Sequence, residues 1–191
     1  MPRRTESFGD QSALGAGPLV SKMHSFVMMK DEIENRGSEQ TSKAEPRRIG
    51  ARLLLAEDDA INQMWLRRIL QRFGCRVDCA DDGNECLSML ERCSYDLVFT
   101  DIQMPQMDGI EATRIVRSRN VLSRSGGPIP IIALTGNVAL GMRERCIDAG
   151  MNDYLTKPIE MDRLRTTLER CLLESDLATR IAGADDSEPA V

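Results

Sequence analysis

The hydrophobic pattern of this chain predicts an α/β fold, a doubly wound parallel sheet of five strands with five helices. Two observations carry the prediction. Short apolar runs bounded by polar residues alternate five times with segments whose apolar residues recur at helical spacing. Strict strand-helix alternation implies parallel strands, because each connection crosses over right-handedly and lays helices on both faces of the sheet. In addition, the run Leu97 to Phe99 ends on a carboxylate, Asp101, with Pro105 and Gly109 close behind. A buried strand therefore stops where a loop begins, the edge at which open α/β sheets keep their reactive groups.

Arg52-Leu53-Leu54-Leu55-Ala56 is a short apolar run flanked by polar residues, as a buried parallel strand should be, and Glu57-Asp58-Asp59 closes it. Ile61, Trp65, Leu66, Ile69, Leu70 and Phe73 then keep a helical period until Gly74, and Asp59 suits the cap of that helix. Cys75 to Ala80 is a second, weaker strand; Asp82-Gly83 turns the chain, and Cys86, Leu87 and Leu90 form the stripe of a second helix. Tyr95 to Thr100 is the third strand. After the loop from Pro105 to Gly109, Ile110, Thr113, Ile115 and Val116 predict a third helix to about Ser118.

The Ser- and Gly-rich segment Asn120 to Pro128 is a loop, followed by a fourth strand, Ile129 to Leu134, whose Pro130 must lie near its start. Thr135 closes that strand. Val138 to Ala149 is a fourth helix, and Gly150 suits the left-handed position after it. Asp153-Tyr154-Leu155 is a short fifth strand. Lys157-Pro158 leads to a fifth helix in which Leu164, Leu168, Cys171 and Leu172 keep register.

Residues 1–50 are rich in Gly, Ser, Glu, Arg and Lys and read as a disordered tail, with Val20, Met23, Val27 and Met28 spaced for at most one short helix. The globular domain is expected over residues 51–174, and residues 175–191 read as a second disordered tail. A net charge of −5 supplies no basic field, so direct contact with nucleic acid or an anionic membrane is not expected. No apolar stretch approaches the roughly 20 residues of a membrane span, and Glu6 and Asp10 argue against a transit peptide. A soluble, cytoplasmic protein is the expectation. The six cysteines lie in or beside apolar-periodic segments without a C-x-x-C pair, and they read as small hydrophobes.

Glu57, Asp58 and Asp101 close the first and third strands, Thr135 the fourth, and Lys157 follows the fifth. Carboxylates brought together repel one another and stay ionised only beside a cation; a hard cation such as Mg²⁺, bound through oxygens, is the natural partner. A carboxylate nucleophile forms an acyl phosphate, and phosphoryl transfer needs a metal, a hydroxyl donor and a cationic side chain around it. The sequence offers each.

These residues, with the stretch Asp101 to Gly109, the run Ala133-Leu134-Thr135-Gly136-Asn137 and Lys157-Pro158, resemble the receiver domain of two-component response regulators, closest to receivers of hybrid histidine kinases. The resemblance covers Ala51 to Leu173. It implies the flavodoxin-like strand order 2-1-3-4-5, which alternation alone does not choose. It also implies that Asp101 is the phosphorylated aspartate, Asp58 a direct metal ligand, Glu57 a ligand through water, and Gln103 the donor of a backbone carbonyl to the metal. Thr135 matches the hydroxyl switch residue, Tyr154 the aromatic that changes exposure with it, and Lys157 the lysine that precedes a cis proline.

The expected function is phosphorelay signalling: a stand-alone receiver, not an enzyme beyond its own Mg²⁺-dependent phosphorylation and dephosphorylation. It would take its phosphoryl group from a histidine kinase or a histidine phosphotransfer protein and pass the signal to a further protein. Neither tail is long enough for an output module, so a fragment of a hybrid kinase is the other form the chain could take. A receiver-like scaffold that is never phosphorylated is the alternative. An aspartyl-phosphate hydrolase is disfavoured because Gln103 stands where its second Asp would be. A flavodoxin-like cofactor binder is disfavoured because acids, not a phosphate-binding loop, follow Ala56.

Overall fold

The computed structural model describes residues 49–136 and 141–182. Its elements are β1 (Arg52–Ala56), α1 (Ala60–Arg72), β2 (Arg76–Ala80), α2 (Gly83–Arg92), β3 (Leu97–Asp101), α3 (Gly109–Ser118), β4 (Ile131–Thr135), α4 (Met142–Ala149), β5 (Asp153–Thr156) and α5 (Met161–Ala182). All strands are parallel, in the order β2-β1-β3-β4-β5. This is the flavodoxin-like order the resemblance implied.

The period-two geometry of the central strands makes two cores. Leu53, Leu55, Leu97, Phe99, Ile132 and Leu134 point to one face and pack with α1 and α5. Leu54, Ala56, Val98, Ile131 and Ala133 point to the other and pack with α2, α3 and α4. Central strands with both faces covered read as continuous apolar runs, as these do. Fully burying one such Leu contributes roughly 1.5–3 kcal/mol, so the sheet is held mainly by its two apolar faces.

Capping follows the sequence closely. Asp59, Asp82 and Asp108 accept backbone N–H bonds at the starts of α1, α2 and α3. α4 ends on Gly150 at φ 93°, where a Cβ would also meet Arg117 Cγ at 2.9 Å. The Arg117 guanidinium ties that turn to the sheet by donating to the carbonyls of Gly150 and Ile129 and to Asn152 Oδ1.

Two expectations are corrected, and one falls partly outside the described residues. Ile61 is 51% exposed and not part of the inner stripe of α1; the inward line through Leu66 and Ile69 passes instead through Asn62, which faces the end of β1. Helix α4 is described from Met142, and the positions 138–140 assigned to it lie outside the described residues. Residues 175–182, expected in a tail, are helical, because α5 continues to Ala182. Beyond Leu172 its inward positions are hydroxylic: Ser175 Oγ lies 3.4 Å from Ser123 Oγ and 3.3 Å from Ser125 Oγ. A Cβ on Gly127 would stand 2.8 Å from Thr179 Oγ1, so glycine lets the loop lie flush on the helix. A purely apolar period cannot register such packing. The expected tails over 1–48 and 183–191 lie outside the described residues.

Candidate functional site

Register builds the site. Ala56 of β1 pairs with Thr100 of β3, so the next residues, Glu57 and Asp101, emerge side by side at the carboxyl edge of the sheet. Thr135 ends β4 in register with Thr156 of β5, and Lys157 N–H donates to Thr135 O at 2.7 Å as the chain leaves the sheet. The Lys157-Pro158 peptide bond is cis. Lys157 Nζ then reaches back across the edge, donating to Asp101 Oδ2 at 2.5 Å and to Glu57 Oε2 at 2.6 Å.

Carboxylate oxygens of Glu57, Asp58 and Asp101 lie within 4.8 Å of one another. Glu57 is 1% exposed, Asp101 is buried and Asp58 is exposed. Three carboxylates thus face one ammonium, an all-oxygen donor set with surplus negative charge that suits a hard divalent cation. Burial pushes the Glu57 carboxyl above its ordinary 4.5, against the hydrogen bonds from Lys157 and Asn62 that pull it down. For Lys157, burial lowers the ammonium value, but the hydrogen bonds to Asp101 and Glu57 outweigh it and hold it above 10.5.

The other expected residues are placed around this group. Gln103 N–H donates to Asp101 Oδ1 at 3.1 Å, fixing the carboxylate from the loop side. Thr135 is buried at the end of β4. Tyr154 is half-buried two strand positions before Thr156, with the Arg163 guanidinium 5.9 Å from its ring centroid.

Three residues with a part in the site were missed by sequence reasoning. Asn62 Nδ2 donates to Glu57 Oε1 at 3.1 Å, and Gln63 Nε2 holds the turn through Glu57 O and Asp81 Oδ1. A polar residue one helical turn before the buried Leu66 was the available signal. Gly109 is the third: a Cβ there would lie 2.1 Å from Asp101 O and 2.7 Å from Thr100 Oγ1, so only glycine lets α3 start against the backbone of Asp101. All six cysteines are free thiols, and burial pushes Cys75 and Cys171 up to about 11 and Cys86 up to about 12, away from thiolate chemistry.

A family model described as a response regulator receiver domain matches residues 53–169. The chain is 42% identical over 125 residues to the transcription factor SKN7 of Saccharomyces cerevisiae, a match covering 65% of this chain and 19% of the relative. It is 36% identical over 124 residues to hybrid signal transduction histidine kinase K of Dictyostelium discoideum, covering 63% of this chain and 10% of the relative. The chain therefore spans no more than 19% of the length of these two relatives. Among solved structures, the receiver domain of a Pseudomonas aeruginosa sensor histidine kinase, with a magnesium ion coordinated in its active-site cleft, matches at 39% identity and TM-score 0.56, over 64% of this chain and 98% of that one. A co-crystal structure of a Saccharomyces cerevisiae histidine phosphotransfer protein with the receiver domain of its downstream response regulator matches at 30% identity and TM-score 0.57, over 65% of this chain and 88% of that one.

Proposed function

Since the chain belongs to the response regulator receiver family, we propose that Asp101 accepts a phosphoryl group from the phosphohistidine of a histidine kinase or a histidine phosphotransfer protein. The observation that carries this reading is the bridge from Lys157 Nζ to both Asp101 and the buried Glu57. It holds a cation beside the acceptor oxygen whatever the state of Asp101.

In the transfer, an Asp101 carboxylate oxygen attacks phosphorus, the new O–P bond forms as the N–P bond to the donor imidazole breaks, and the imidazole leaves neutral after taking a proton. Positioning and charge neutralisation do most of the work in such a step. The Gln103 N–H on Asp101 Oδ1 orients the carboxylate and leaves its other oxygen facing Lys157. Lys157 neutralises charge on the phosphoryl oxygens while Glu57 keeps its ammonium in place. The carboxylates of Glu57, Asp58 and Asp101 and the carbonyl of Gln103 would hold Mg²⁺, which when bound neutralises phosphoryl charge. The Thr135 hydroxyl donates to a phosphoryl oxygen, and its movement, followed by Tyr154, shifts a two-state equilibrium at the face of α4, β5 and α5 that a downstream protein reads.

Intact mass after incubation with acetyl phosphate and Mg²⁺ tests the assignment. One phosphoryl adduct is expected on the wild-type chain, none on Asp101→Asn and none in chelator. An adduct that persists on Asp101→Asn overturns Asp101 as acceptor. Absence of any adduct from acetyl phosphate and from a phosphorylated histidine phosphotransfer protein would leave the unphosphorylated scaffold.

A further inference from the structure

Asn62 stands in the first turn of α1, where asparagine is a weak helix former. Its backbone N–H is already satisfied by Asp59 Oδ1 at 3.1 Å, so its side chain is not needed for capping. Instead Asn62 Nδ2 turns back past the cap and donates to Glu57 Oε1 at 3.1 Å. Lys157 Nζ holds the other oxygen, Oε2, at 2.6 Å. Among the described residues these are the two side-chain donors to a carboxylate that is 1% exposed.

The last torsion of a glutamate is broad and roughly two-fold, so a single donor does not fix the plane of the carboxylate. Donors on both oxygens do. The two donors differ in charge, and the difference matters to a cation. Lys157 already offsets part of the negative charge gathered by Glu57, Asp58 and Asp101. A second cationic donor at Oε1 would offset more of it and repel an incoming divalent ion, whereas an apolar side chain would leave a buried oxygen without a partner. A carboxamide fixes the oxygen and leaves the charge.

We propose that Asn62 is a positioning residue for Mg²⁺: as a neutral donor it locks the plane of the Glu57 carboxylate and preserves the surplus negative charge that the ion offsets. The inference rests on the reading of Glu57, Asp58 and Asp101 as the Mg²⁺ site, and Asn62 acts on the ion only through Glu57. Gln63, the next residue, steadies the same turn through the main chain, since its Nε2 donates to Glu57 O at 3.1 Å and to Asp81 Oδ1 at 2.9 Å. The first turn of α1 thus holds Glu57 by both its backbone and its side chain.

Calorimetric titration of the full chain with Mg²⁺ tests this, with far-UV circular dichroism confirming each variant's fold. Asn62→Leu, of the same branched shape but without a donor, is expected to weaken Mg²⁺ binding about tenfold, as loss of a partner behind a metal ligand does. Asn62→Ala, a better helix former, shifts the affinity in the same direction, which separates the effect from helix stability. Asn62→Lys supplies a donor but adds a charge, and it should weaken Mg²⁺ binding at least as much as Asn62→Leu. In a Glu57→Gln background, Asn62→Leu should change the affinity by no more than about twofold, because the group it acts through is gone. Phosphorylation of Asn62→Leu by acetyl phosphate should need more Mg²⁺ to reach half its rate and return to the wild-type rate at saturation. An unchanged Mg²⁺ affinity in Asn62→Leu, an Asn62→Lys variant as tight as wild type, or full additivity with Glu57→Gln would each overturn the proposal. A wild type that binds Mg²⁺ yet takes no phosphoryl group would count against Asp101 as acceptor, while the Mg²⁺ titrations would still decide the role of Asn62.

Discussion

The sheet carries a charge cluster at each end, and the two obey different rules. At the amino edge Arg52 donates to Asp78 Oδ2 from Nη2 at 2.7 Å and from Nε at 3.1 Å, and stacks 4.9 Å from the Tyr95 centroid. Asp96 accepts from Arg52 N–H and from the Arg124 guanidinium. Two cations meet two anions, partly in water. At the carboxyl edge three carboxylates meet one ammonium, and Glu57 is almost wholly buried. Balanced, solvated pairs add little to stability and ask for no further partner. A buried surplus of one sign is costly and persists where a ligand cation or a reaction offsets it.

Removing the ammonium breaks this contrast most sharply. Lys157→Met leaves Glu57 and Asp101 without a cation and is expected to cost about 3 kcal/mol of stability near neutral pH. Urea unfolding in chelator would measure it, and phosphoryl transfer to Asp101 should fall with it. A divalent cation restores the balance from outside. Saturating Mg²⁺ at a hundred times its dissociation constant stabilises the folded chain by about 2.7 kcal/mol. Calorimetry should show this rise for the wild type and for the amino-edge variant Asp78→Asn, and a much smaller one for Asp58→Asn.

The pH dependence sharpens the comparison further. Because burial raises the Glu57 carboxyl above 4.5, its folded form holds the proton more tightly than the unfolded chain does. In chelator its contribution to stability therefore falls as pH rises from about 4.5 through the folded value, opposite to an ordinary ion-paired carboxylate. Glu57→Gln should flatten that limb in denaturant melts taken from pH 4 to 8; an unchanged slope would place the cost elsewhere. The smallest effect belongs to the amino edge. Arg52 and Asp78 are 36% and 39% exposed, so Asp78→Asn should cost about 1 kcal/mol or less and leave phosphorylation by acetyl phosphate unchanged.

Much of the carboxyl edge was legible because strand ends are local features. An apolar run that stops on Glu57 or Asp101 shows where that side chain emerges, and four such strand ends implied one populated edge. Asn62 was not legible: a polar residue on an inward helical line is noise until the end of β1 is known to lie opposite. Gly109 was read only as a turn, since nothing local says that the carbonyl of Asp101 will come close enough to exclude a Cβ. The extension of α5 was missed because hydroxyls and glycines, not apolar side chains, seat it on the loop from Ser123 to Gly127.

The sequence by itself determined the alternation of strands and helices, the cap at Asp59, and which charged residues close which strands. Each depends on backbone periods of two and 3.6 residues and on groups within a turn of one another. Tertiary structure alone decided that Lys157 lies against Glu57, 100 positions away, and Asp101, 56 positions away, and that these two of the three clustered carboxylates share that one ammonium. Strand order, register and crossover direction set those distances, and burial sets what the charges cost. Neither is a property of any short stretch of chain.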